Sequence, residues 1–154
     1  MAATLLTIAL AGCGGSSATK SSGAPSLSSF KAGFTAAKAQ FRQLGSDLGT
    51  AVEKAATKTD VQLAVQFDKL SAQAKAQAAA LRKLDPPAKF KSELSHLSTS
   101  LDSVATDLGG IASAANAHDA TKAKAATTTL ITDAAKVKTA DNALTAQLGL
   151  PKTG

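Results

Sequence analysis

The sequence predicts an all-α protein, an antiparallel up-down-up-down four-helix bundle behind a signal peptide and a flexible tether. Three observations predict it. Apolar residues recur at alternating steps of four and three along four long stretches. Proline occurs only at Pro25, Pro86, Pro87 and Pro151, never within a stretch. The connections between stretches are short, which forces antiparallel neighbours.

The first helix is expected over residues 28–56, with a seam of Phe30, Phe34, Ala37, Phe41, Leu44, Leu48, Ala51 and Ala55. The second, over 60–84, carries Leu63, Phe67, Leu70, Ala74, Leu81 and Leu84, with Gln77 as a polar interruption beside Ala78. Thr59-Asp60-Val61-Gln62 reads as the capping box that starts it. The third, over 87–116, uses Phe90, Leu94, Leu97, Leu101, Val104, Leu108, Ile111 and Ala115, with Asp85 as its cap and Pro86 in its first turn. The fourth, over 120–148, uses Ala123, Leu130, Ala134, Val137, Leu144 and Leu148, with Thr127 and Asp141 as lesser members. Asp119 caps its start, and Gly149 with Pro151 ends it. Each helix is about 40 Å long at the α-helical rise, a length suited to a bundle. Together they form one domain over residues 27–150.

The first and third seams superpose under a shift of 60 residues. Phe30-Lys31 then falls on Phe90-Lys91, and Asp47-Leu48-Gly49 on Asp107-Leu108-Gly109. A duplicated hairpin explains this, as does coincidence between two alanine-rich hairpins of equal length. Gly45, Gly49, Gly109 and Gly110 lie inside helices, each at a cost of about 1 kcal/mol against alanine. Close helix packing is the expected reason, with a bend or a partner groove as alternatives.

Ahead of the bundle stands TLLTIALAGCGG. Residues 4–11 form an apolar run too short to span a bilayer but suited to a secretory signal. The only cysteine follows two small residues, in Leu10-Ala11-Gly12-Cys13. This tetrapeptide resembles the lipobox of bacterial lipoproteins. The resemblance implies cleavage before Cys13, so that residues 1–12 are the signal peptide. It also implies a diacylglycerol on the Cys13 thiol, often with acylation of its freed amine. Two or more acyl chains meet the requirement for stable anchoring. The implied location is the cell envelope, on the extracytoplasmic side of the membrane. No Lys or Arg precedes the run, so residues upstream of Met1 or the free amino terminus supply its positive charge. Residues 13–26 hold the lipidated cysteine and a Gly/Ser-rich tether with a reach of about 20 Å.

Composition narrows the function. Lys and Arg outnumber Asp and Glu by 17 to 11, giving +6 over 154 residues, so anionic partners suit the chain. There is no Trp or Tyr, and all five Phe are expected inside, which leaves no aromatic surface for stacking bases. Nucleic acid is set aside. Glu93-Leu94-Ser95-His96 matches the Glu-x-x-His of di-iron bundles, but Glu53 and Glu93 are the only glutamates, and the seam turns His96 outward. His118-Asp119 reads as a polar turn with an Asp cap. Without a positioned base or an oxyanion hole, no catalytic set forms. The reading is no enzyme, no metal site and no cofactor.

The end at which the first helix begins is basic, with Lys31, Lys38, Arg42, Arg82, Lys83, Lys89, Lys91, Lys136 and Lys138, whereas residues 92–119 contain no Lys or Arg. Beside the membrane such an end contacts anionic lipid. An envelope protein partner, of unspecified identity, is expected at the opposite end or along the third helix, with Lys58, His118, Gly49 and Gly109 as the partner-facing candidates. Two functions follow. The first is a non-enzymatic interaction or structural module held at the membrane by Cys13. The alternative is a sensor-like bundle that binds a small ligand or metal between helices, favoured if Gln77 and Asp141 are buried.

Overall fold

The computed structural model describes residues 26–151. They form α1 (Leu27–Glu53), α2 (Asp60–Arg82), α3 (Lys91–Asn116) and α4 (Ala120–Gln147), with short 3-10 turns at Ala55–Thr57 and Ala88–Phe90. No strand occurs among the described residues. The lipobox residues Leu10 to Cys13 and most of the tether lie outside them.

The expected start of α2 and the expected start and stop of α4 hold for identifiable reasons, and α1 carries a cap that the spacing does not point to. Ser26 caps α1 by accepting from the Ser29 amide. Thr59 accepts from the Gln62 amide while the Gln62 side chain accepts from the Thr59 amide, completing the capping box of α2. Asp119 accepts from the Lys122 amide at 2.9 Å to start α4. At the other end of α4, Gly149 takes φ +63°, and the Leu150 amide reaches back to the Thr145 carbonyl at 3.0 Å. That is a Schellman stop, with glycine where a side chain would be strained.

Two boundaries differ by three residues or more. The first helix ends at Glu53 instead of 56, where a 3-10 turn replaces its last α-turn. The third begins at Lys91, and Asp85 does not cap it; its N-cap is Phe90, with no side-chain cap bond. The cause is Pro86-Pro87. A residue before proline is pushed out of the α region, and Pro87 itself is extended at ψ 148°. The chain must pass both prolines before it can coil.

Pairings along the helices show the antiparallel order. Gly33 lies against Leu84 and Gln40 against Gln77, so α2 recedes as α1 advances. Ser71 bonds the Ala105 carbonyl at 2.7 Å, and Arg82 pairs with Asp102. Gly110 faces Ala126 across α3 and α4. The central element is α3, packed along both α2 and α4, while α1 leans chiefly on α2. Its seam is correspondingly the most buried, from Phe90 through Ile111.

The core tapers. At the end where α1 begins, the Phe30 and Phe34 rings stack with centroids 6.3 Å apart, and Phe30 meets Phe90 at 5.6 Å. Leu81, Leu144 and Leu148 complete that layer. At the far end the buried side chains are mostly alanines, Ala51, Ala64, Ala112 and Ala114.

Candidate functional site

A bundle closed on all four sides would bury the seams of α1 and α4 against each other. They are not closed. Ala134, Val137 and Asp141 are only half-buried, as are Phe41 and Leu48 opposite them. Phe41 is thus the exception to the expectation that every Phe lies inside. Because α1 leans towards α2, its other flank stands off from α4 and leaves a cleft of about 390 Å³. Leu101 and Val104 of α3 form its floor, Phe41, Leu44 and Leu48 one wall, Ala134 and Val137 the other.

Gly45 also lines this cleft, and a Cβ built on it would meet nothing within 4 Å. The same holds for Gly49. Neither glycine is explained by close packing. Gly109 and Gly110 do face neighbouring helices, but a Cβ there would meet Ser71 and Ala126 at 3.5 Å, an ordinary contact that does not require glycine.

One end of the cleft is polar. Lys38 belongs there, not on the solvated basic face where the sequence put it, and is only 7% exposed. Its aliphatic stem lies inside while its ammonium finds polar partners across the gap. Lys38 Nζ donates to Thr145 Oγ1 at 2.7 Å, and Asp141 Oδ2 stands 3.9 Å away. Thr145 is fully buried. Burial raises the Asp141 carboxyl above the ordinary carboxylate range, opposed by the Lys38 charge and the Thr145 hydroxyl. Asp141 Oδ1 is buried without a hydrogen-bond partner. Arg42 and Lys138 stand exposed on the rim.

Gln77 is buried too, at 9% exposure, and its Nε2 donates to the Gln40 carbonyl at 3.0 Å. Its amide ties α2 to α1. Of the two polar interruptions, Asp141 is the one that opens onto the cleft.

A second polar group joins α3 to α4. Asp133 is buried and accepts from Lys136 Nζ at 2.7 Å. Asp107 is raised above the ordinary range by burial first, then by the charge and hydrogen bond of Asp133.

The candidates expected to face a partner do not gather into one site. Lys58 and His118 lie at the same end, because His118 Nδ1 sits 2.5 Å from Asp60 Oδ2 and links the two hairpin turns. His118 takes the left-handed φ of 53° as α3 ends. Gly49 is exposed, whereas Gly109 is packed against α2. His96 is exposed, and both it and Glu93 border a groove between α3 and α4. Among the described residues no three His, Cys, Asp or Glu side chains converge as metal ligands would.

The fold and cleft define an all-α antiparallel bundle with one seam open. No protein-family model, curated protein or solved structure matches the chain.

Proposed function

We propose that the chain is an envelope lipoprotein, tethered through Cys13, whose bundle holds a small apolar ligand in the cleft between α1 and α4. The observation that carries this reading is the open seam. Ligand pockets of a few hundred Å³ lined by apolar side chains and a few convergent polar groups are the usual form of small-molecule sites. A cleft of about 390 Å³ with Lys38, Thr145 and Asp141 at one end has that form. Gly45 adds to it, because an alanine there would strengthen α1 yet the chain keeps an open wall. The anchoring part rests on Leu10-Ala11-Gly12-Cys13. Among the described residues no helix is long and apolar enough to cross a membrane.

The test uses the full chain carrying Cys13→Ser, so that no acyl group competes, and a neutral dye that brightens in apolar surroundings. The dye should bind this chain and lose at least about tenfold in affinity when Gly45→Leu fills the wall. Equal binding to both chains overturns the reading.

The other function, an interaction module without a ligand, draws support from Val52, Val61 and Val65 around the first hairpin turn, which are 57%, 63% and 66% exposed. A protein partner would cover such side chains.

A further inference from the structure

The cleft has a direction. Its polar groups cluster where Lys38 of α1 faces Asp141 and Thr145 of α4. Moving along α1 from Lys38 to Leu48 advances about 15 Å, and over that distance the lining passes from charged to wholly apolar. Such a lining suits a molecule with one polar end and one apolar chain.

The charges at the polar end are unbalanced. Three cations border the cleft, Lys38, Arg42 and Lys138, against the single carboxylate of Asp141. Lys38 is the decisive one. A side chain that is 93% out of solvent normally meets its counter-charge in direct contact, but its close bond is to the neutral Thr145 hydroxyl. Asp141 remains 3.9 Å off. The ammonium has three protons to donate and only one short acceptor.

Resting on the cleft reading above, we infer that the cleft takes a single-chain amphiphile with an anionic headgroup. The headgroup oxygens accept from Lys38, with Arg42 and Lys138 at the rim, and the chain lies over Leu101 and Val104. The size agrees with one chain, since 390 Å³ is at the small end of ligand pockets. Charge complementarity excludes a cationic head, and a neutral head offers Lys38 an acceptor but no counter-charge for the three cations.

Competition against the neutral dye, on the full chain with Cys13→Ser, tests this. The competitors are decanoate, decanol and decylammonium, each below its micelle-forming concentration. Decanoate should displace the dye at about one tenth the concentration decanol needs, as a charge-assisted hydrogen bond implies, with decylammonium the poorest. Lys38→Met keeps the stem and should erase the preference for decanoate while decanol still competes. Arg42→Gln with Lys138→Gln, both at exposed positions, should lower the preference a few-fold without disturbing the fold. If decanoate and decanol compete equally, the headgroup assignment is wrong and the cleft stands. If the parent and Gly45→Leu chains bind the dye equally, the cleft reading itself falls, and the headgroup assignment falls with it.

Discussion

Leu101→Ala tests both the core and the cleft, because Leu101 belongs to each. It is 2% exposed and sits at the middle of α3, yet it also floors the opening between α1 and α4. Truncation removes about three carbons from an apolar site, a transfer loss of about 2.4 kcal/mol at roughly 0.8 kcal/mol per carbon. An enclosed cavity would add about 24 cal/mol for each Å³ left empty. Here the new space merges with an opening that already exists, so little is added, and the expected cost is about 2–3 kcal/mol. Leu108 provides the contrast. It is fully buried and does not border the cleft, so Leu108→Ala leaves an enclosed void and should cost about 3–5 kcal/mol. Urea unfolding followed by far-ultraviolet circular dichroism measures both, with the denaturant slope expected to stay constant. A cost below about 0.5 kcal/mol for Leu101→Ala would show that it is not a core position. A cost equal to or above that of Leu108→Ala would show that the seam is closed in solution.

Three other outcomes are expected. Asp107 and Asp141 are both held above the ordinary carboxylate range, so the folded chain keeps protons that the unfolded chain releases above about pH 3.9. Stability should therefore rise as pH falls from neutral towards about 4, and Asp107→Asn should flatten that profile. Asp119, held low by the Lys122 amide, opposes this only at still lower pH; a melting temperature that falls steadily from pH 7 to pH 4.5 would contradict the sign. In hydrogen exchange the alanine-rich end should open first, since fewer apolar atoms are buried per layer there. Slower exchange around Ala55 and Ala115 than around Phe34 and Leu94 would refute the tapered core. Cys13→Ser should leave the chain uncut and unlabelled by a radioactive fatty acid, and equal labelling of parent and variant would remove the anchor.

The helices were legible because their signals are local. Heptad spacing, the Thr59 capping box, Asp119 and Gly149 each act within one or two turns, and the structure keeps them. The start of α3 is not legible locally, because Asp85 resembles a cap while the restriction from Pro87 onto Pro86 outweighs it. The cleft was not legible. Four good seams do not say whether all four close, and that depends on α1 leaning towards α2, where Gln77 reaches the Gln40 carbonyl. Lys38 reads as a surface charge in the sequence because its neighbours across the gap, Thr145 and Asp141, are about a hundred residues distant along the chain. One clue was present. Asp141 falls within the fourth seam, and its antiparallel level on α1 is that of Lys38.

The lean of α1 also gives the molecule a mechanical grain. With an even number of helices, residue 26 and residue 150 emerge at the same end, and the helices that carry them are the pair between which the seam stands open. A load drawn between those two residues would not shear the bundle along its length. It would peel α1 from α4 at one edge, with the Lys38–Thr145 bond among the first to be strained. A load entering at residue 26 alone meets something firmer, the packed rings of Phe30, Phe34 and Phe90. The bundle is thus stiff to a pull on its first residue and compliant to the separation of its two ends.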